Sequence, residues 1–380
     1  MKILITTDWY RPVINGVVTS VINLAEGLEK EGHEVRILTL SDTVSCRKEN
    51  NVYYFGSLAA GAIYPNARII LPMRHAFIEE LVRWKPDIIH SQCEFSTFHA
   101  ARKISARTGA PIVHTYHTVY EGYTHYFFPN RRVGRKLARA FSKLIAHRSE
   151  AFIVPSAKIS HMMNDYKIST PVFVIPSGIC LEQFQRRNKT ARERIRRSLG
   201  ISGEECLLLY IGRLAKEKNI EELISYLSDP QTPHCRLLIV GDGPDREDLL
   251  NTVRKAGMGD RVLFTGMVPP EKVADYYHAG DIFVNASTSE TQGLTYMEAM
   301  ASGLPLLCRR DLCLDGVIEQ GLNGYTYDDR AGFQSHLTEM INDLQKRIEL
   351  GRAARKTAIE KYSIPAFAEA CEKVYERCAS

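Results

Sequence analysis

The chain has 380 residues, 44% of them hydrophobic and 24% charged, with a formal net charge of +5. These values fit two globular domains of roughly 150–200 residues and exclude a disordered or collagen-like chain. No apolar run approaches the ~20 residues of a membrane span, and the opening Met1–Asp8 segment reads as too short and weakly basic for a signal peptide; on both counts the protein is expected in the cytoplasm, or against the membrane from that side.

In the first half, short apolar runs predict strands at Lys2–Thr6, Glu34–Leu40, Asp87–His90, Pro111–Thr115, Ala151–Pro155 and Val172–Ile175, with helices over Val17–Lys30 and Phe77–Trp84. The loop from Asp8 to Thr19 leaves a strand and opens a helix. Gly16 there can admit a phosphate or a sugar against bare backbone, the competing reading being a plain Asn15-Gly16 turn. Residues 114–128 concentrate histidines and aromatics just after a strand. His114 lies within the strand and is expected in the core. His117, at the strand's end, is placed to meet sugar hydroxyls or an acceptor, with a structural hydrogen bond as the alternative.

Residues 131–148 hold seven Arg and Lys and no acid. At about 100° per residue, Arg132, Arg135, Lys136, Arg139 and Lys143 share one face, with Val133, Leu137, Ala140, Phe141, Leu144 and Ile145 opposite. With Arg131 at its start and Tyr126-Phe127-Phe128 before it, this basic amphipathic helix reads as a surface for anionic lipid, or else as an ordinary solvated face. No helix-turn-helix, RNP or zinc pattern accompanies it, so nucleic acid is not an expected partner. The charge is uneven: residues 1–180 carry a net +8 and residues 181–380 a net −3.

Polar, basic Gln183–Arg197 follows the turn cluster Pro176-Ser177-Gly178. It predicts a linker at 181–200 between an N-terminal domain, 1–180, and a C-terminal domain, 201–362. A last helix, from about 366 to 380, is expected to pack back on the first domain. Second-half strands are predicted at Leu207–Ile211, Arg236–Val240, Val262–Thr265, Ile282–Val284 and Leu304–Leu307, with helices over Glu221–Leu227, Arg246–Ala256 and Pro270–His278. This alternation predicts an α/β protein of two doubly wound, Rossmann-like domains with a ligand cleft between them. Nine cysteines (odd in number, none in a Cys-x-x-Cys) are expected as reduced, buried thiols, with no metal site.

Two motifs in the second half carry chemistry. After one strand comes Gly212-Arg213-Leu-Ala-Lys216-Glu-Lys218-Asn219, where Arg213 offers a planar fork of donors and Lys218 a mobile charge, a pairing suited to a diphosphate. A solvated basic loop is the alternative. Glu290 and Glu298 bracket Gly293 between a strand and a helix-like run from Thr295 to Ala301. Acids that accept sugar hydroxyls, beside helix amides that hold phosphate, point to nucleotide sugars. Gly241-Asp-Gly243 lacks the third glycine of a dinucleotide fingerprint.

Together these residues resemble glycosyltransferase family 4, retaining enzymes of the GT-B fold. The resemblance spans the chain: the Gly16 loop, His117, Gly-Arg-Leu-x-x-Glu-Lys-Asn at 212–219, and Glu-x7-Glu followed by Met300-Ala-Ser-Gly303-Leu-Pro305. Within the family, residues 114–126, 287–296 and 313–317 look most like bacterial 1,2-diacylglycerol 3-α-glucosyltransferases. The resemblance implies transfer of glucose from UDP-glucose to diacylglycerol by a peripheral enzyme on the inner face of the cell membrane. The alternative is a cytosolic family member with a soluble acceptor. It gives Arg213 and Lys218 the donor diphosphate, with help from the backbone of Gly293, Leu294 and Thr295. Glu298 takes the ribose hydroxyls, Glu290 the donor sugar, and Met267 and Gly16 line the donor site. His117 contacts the sugar. It implies no tightly bound cofactor and no protein partner; a divalent cation is not required, though it can stimulate.

Overall fold

The computed structural model describes residues 1–13, 15–60, 68–70, 76–117, 119, 131–186 and 188–379, the side chain of Arg131 excepted. The chain forms two compact units, Met1–Gly178 with Ile364–Ser380, and Ile179–Ser363.

The first unit is built on strands β1 (Lys2–Thr6), β2 (Glu34–Leu40), β3 (Arg47–Glu49), β4 (Val52–Phe55), β5 (Ser57–Ala59), β6 (Arg68–Ile70), β7 (Ile88–Ser91), β8 (Ile112–Thr115), β9 (Ala151–Val154) and β10 (Val172–Val174). Its helices are α1 (Gly16–Lys30), α2 (Ala76–Trp84), α3 (Ser96–Thr108), α4 (Arg131–Ala146) and α5 (Ala157–Asp165). Eight strands make one sheet in the order β10-β9-β8-β7-β1-β2-β4-β3, parallel except for β3, while β5 and β6 pair as a separate antiparallel ribbon. In β1, Ile3 and Ile5 enter one core cluster and Leu4 the other, so both faces of the sheet are covered. That is why the strand is apolar without alternation. Neighbours of β1 are β2 on one side and β7 on the other. The chain order reverses there, and such a switch point opens a crevice at the strands' carboxyl ends.

The second unit holds helices α6 (Glu182–Gln185), α7 (Lys189–Ser198), α8 (Ile220–Leu227), α9 (Arg246–Lys255), α10 (Pro270–Ala279), α11 (Leu294–Ala301), α12 (Arg330–Asn342) and α13 (Leu344–Tyr362). Its strands are β11 (Leu207–Ile211), β12 (Arg236–Val240), β13 (Val262–Gly266), β14 (Ile282–Asn285), β15 (Leu306–Arg309) and β16 (Gly324–Tyr327). They form one parallel sheet, β13-β12-β11-β14-β15-β16, whose switch point lies between β11 and β14. The predicted strand at Leu304–Leu307 starts later, because Leu304 N–H still bonds Ala299 O to close α11.

Residues 181–200, expected as a linker, instead hold α6 and α7 and belong to the second unit. Arg192 and Arg196 of α7 bond the Asp281 carboxylate at 2.7 and 3.0 Å and the carbonyl of Ala279, so cations of the expected linker fasten the helix to the end of α10. The chain returns to the first unit with α14 (Ile364–Ala379). This helix lies so close to α1 that a Cβ on Gly27 would stand 2.8 Å from the Ala368 Cβ. Glycine inside a helix, normally unfavourable, is explained here by that approach.

Candidate active site

At the carboxyl end of β11 the chain turns through Gly212 (φ +156°) into the Arg213–Lys218 loop. The loop is set by its neighbours: a Cβ on Gly241 would lie 2.0 Å from the Gly212 carbonyl, and one on Gly243 2.2 Å from that of Leu214. The Gly241-Asp-Gly243 pattern therefore serves close packing of this loop. Lys218 Nζ bonds Glu290 Oε1 at 2.6 Å, with the two side chains only 19 and 17% exposed. Arg213 is exposed and pairs with Glu217 four residues on. Ser289 Oγ, across the switch point, donates to the Glu217 carbonyl at 3.2 Å and ties the two loops together.

Beyond Glu290 the chain enters α11 through Gly293, in the left-handed region at φ +72°. Gly293, at its N-cap, has no side chain to cap this helix. Its first amides, which lack partners inside any α-helix, are suited to an anion. A Cβ on Gly293 would come within 2.4 Å of the Tyr296 ring, which is fully buried and cannot give way. Gly293→Ala is thus expected to destabilise the protein by about 1–2 kcal/mol from the backbone alone, and more from the clash, as read by urea unfolding.

One turn along α11, Glu298 Oε2 accepts a 2.7 Å bond from the hydroxyl of Tyr277 on α10. Burial pushes the Glu298 carboxyl up to about 7, against the lowering effect of that bond. Tyr277 was not among the residues singled out from sequence. It comes from the helix before the motif, where a tyrosine reads as core. Met267, just past β13, is 79% exposed. Lys218, Glu290, Gly293, Leu294, Thr295 and Glu298 thus gather beside the switch point of the second sheet, with Arg213 on the adjoining loop.

In the first unit, Gly16 opens α1, which Asn15 caps by accepting the Val18 amide at 2.9 Å. A Cβ on Gly16 would meet nothing within 4 Å, so packing among the described residues does not demand glycine there. His114 is fully buried, 3.2 Å from Ser91 Oγ and 3.3 Å from Glu94 Oε1. His117 is half-buried, and its Nε2 lies 2.7 Å from Gln92 Oε1. Desolvation pulls its imidazole down to about 4, so it is neutral at physiological pH. Gln92 escaped the sequence reading, although it sits one residue past a strand end. Residues 120–130, including the aromatic run before α4, lie outside the described residues.

Curated proteins give the comparison that decides the family. The chain is 32% identical to an alpha-monoglucosyldiacylglycerol synthase of Acholeplasma laidlawii, over 99% of this chain and 96% of that one. The chain belongs to glycosyltransferase family 4. The models "Glycosyltransferase Family 4" and "Glycosyl transferases group 1" match residues 14–183 and 191–357 of this family 4 enzyme. It is also 34% identical to the enzyme of the same name from Streptococcus pneumoniae, over 86% of this chain and 75% of that one. Among solved structures it resembles Anabaena Alr3699/HepE in complex with UDP, with a TM-score of 0.73 at 17% identity over 99% and 100% of the two chains. That likeness shows the GT-B fold. As a family 4 member the protein is a hexosyltransferase, and the expectations of family and fold class both hold.

Family membership leaves α4 to be read from its geometry. Gly134, Ala138, Ser142 and Ile145 face the core, while Val133, Leu137 and Leu144 are 43–47% exposed. With exposed Ala140, the latter three form a stripe about 60° wide. So the apolar side expected opposite the cations divides, half inward and half outward. Phe141 stacks on exposed Phe95 at 5.6 Å, continuing the stripe onto the start of α3. Arg132, Arg135, Lys136 and Lys143 are exposed beside it. Arg139 departs from this set: it is half-buried, donates to the Asp165 carbonyl and stands 5.5 Å over the Tyr166 ring. The Arg131 side chain lies outside the described residues. No helix among the described residues is long and apolar enough to cross a membrane.

Proposed function

We propose that the protein transfers glucose from UDP-glucose to the 3-hydroxyl of 1,2-diacylglycerol, with retention of configuration, at the cytoplasmic surface of the membrane. The observation that carries this reading is the exposed apolar stripe of α4 flanked by solvent-facing cations, in a chain whose relatives at 32 and 34% identity are named alpha-monoglucosyldiacylglycerol synthase. A related fold bound to UDP supports the nucleotide.

On this reading, the donor diphosphate draws Lys218 from Glu290 and Arg213 from Glu217, and the α11 amides face its other oxygens. Glu290, released, takes hydroxyls of the sugar, and Glu298 those of the ribose. As the C1–phosphate bond breaks, the developing charge meets donors already in place. The acceptor oxygen bonds C1 on the same face, and its proton passes to the leaving phosphate oxygen. Gly16 and His117 keep the donor-side roles that the resemblance implies.

Glu298 gives this proposal a pH signature. Its raised pKa means the folded protein holds that proton more tightly than the unfolded chain. Its contribution to stability is present below about 4.5 and is lost as pH rises through about 7. Ribose hydroxyls donate to the ionised form, so the donor KM should fall as pH rises through about 7 and then level off. Glu298→Gln should remove that step.

The deciding experiment offers purified protein labelled UDP-glucose, UDP-galactose and UDP-N-acetylglucosamine, with diacylglycerol in anionic or neutral vesicles or with soluble acceptors. An α-linked glucolipid, identified by NMR and favoured by anionic vesicles, is expected. Transfer only to a soluble acceptor would overturn the lipid assignment.

A further inference from the structure

His117 ends a hydrogen-bonded chain that runs through the core of the first unit. Tyr375 Oη, on α14, lies 2.6 Å from His90 Nδ1 on β7. His90 Nε2 lies 2.7 Å from Thr115 Oγ1 and 3.1 Å from Gln92 Nε2. Gln92 Oε1 reaches His117 Nε2 at 2.7 Å. Tyr375, His90, Gln92 and Thr115 are all at least 97% buried. The placement follows from strand geometry. His90 and Gln92 are two residues apart, as are Thr115 and His117, so each pair points to one side of adjoining strands β7 and β8. The backbone of Gln92 is itself anchored, its N–H bonding Thr6 O at 2.8 Å.

The proton positions follow from what each atom can do. An amide nitrogen only donates, so His90 Nε2 must accept from Gln92, and the Thr115 hydroxyl donates to the same nitrogen. Burial pulls His90 down to about 3, so the ring is neutral. Its one proton is then on Nδ1 and goes to Tyr375 Oη, whose own hydroxyl hydrogen can turn to Cys371, its other partner. At the far end, an amide oxygen only accepts, so His117 Nε2 carries the proton. With this ring also neutral, Nδ1 is a bare lone pair, and it has no partner among the described residues.

We propose that Gln92 is a positioning residue that holds His117 in its Nε2–H tautomer, keeping the Nδ1 lone pair to accept a hydrogen bond from a hydroxyl of the transferred sugar. This rests on the reading that His117 meets the donor sugar. It adds that His117 acts there as an acceptor and neither gives nor takes a charge during the reaction. A neutral amide suits that task. A carboxylate in its place would favour imidazolium, adding to the pull of Glu94 against the opposing effect of His114, while His90 beyond it stays uncharged.

The test is nitrogen-15 NMR of histidine-labelled protein at neutral pH, beside donor kinetics. Wild type should show His117 as Nε2–H. Gln92→Leu should release the ring to a tautomer mixture and lower kcat/KM for the donor about tenfold, chiefly through KM. Gln92→Glu should keep Nε2–H, raise the His117 pKa, and add an ionisation to the acid limb of the pH–rate profile. An Nδ1–H tautomer in wild type, or one unchanged in Gln92→Leu, would overturn the proposal. If Gln92→Leu fails to fold, the wild-type tautomer and the Gln92→Glu profile still decide it. His117→Ala separates the two readings: full activity with the tautomer as stated would remove the sugar contact and leave the role of Gln92 toward His117 standing.

Discussion

Lys218→Ala should lower kcat/KM for the nucleotide-sugar donor by about 10²–10³-fold, with most of the loss in kcat. Lys218 and Glu290 meet at 2.6 Å with little exposure. Such a close contact holds both side chains in place, so the donor finds its cation positioned. Without the lysine, the departing diphosphate loses the nearest mobile charge, and Glu290 is left half-buried without its partner. Glu290→Gln keeps the shape and should act mainly on sugar orientation. The double variant should then cost less than the product of the single effects, because the two residues share one contact. Arg213→Ala should cost only about tenfold, since Arg213 is exposed and its partner Glu217 also faces solvent. Steady-state release of nucleoside diphosphate reads all four variants. Near wild-type turnover in Lys218→Ala would remove it from the diphosphate.

The second unit was the more legible in sequence because its site lies in contiguous segments. The strand before Gly212 and the turn from Glu290 to Glu298 each carry their own pattern of apolar run, glycine and charge. What escaped depends on distant partners. Tyr277 is fixed by Glu298 twenty-one positions later, and Gln92 by His117 twenty-five positions later. Helix α3 was missed because its cap is remote: Asp8 Oδ1 accepts the Thr97 amide at 2.8 Å and its hydroxyl at 2.7 Å. Burial against that local donor pair pushes Asp8 up to about 6. The linker reading of 181–200 failed for a related reason. A run of Arg and Lys looks solvated until Asp281, more than eighty residues on, is seen to collect Arg192 and Arg196.

Replacing Arg132, Arg135, Lys136 and Lys143 of α4 by glutamine should weaken binding to phosphatidylglycerol vesicles several hundredfold, at about fivefold per cation, and leave neutral vesicles nearly unaffected. These four are exposed, and Arg139 is left out because its contacts to the Asp165 carbonyl and the Tyr166 ring hold it within the unit. Arg139→Gln is therefore the control, expected to lower thermal stability more than lipid binding. Charge alone would bring the helix only to within about a Debye length of the surface. The exposed Val133, Leu137 and Leu144, with Phe95 stacked beside them, supply area that can enter the headgroup boundary. Leu137→Ser with Leu144→Ser should accordingly weaken binding to anionic and neutral vesicles alike, and should persist at high salt where the charge effect fades. Soluble-donor hydrolysis, which needs no membrane, should be unchanged in both sets, placing the loss at the lipid step. Vesicle binding that ignores both sets would make α4 a solvated face and turn the search for the acceptor toward soluble molecules.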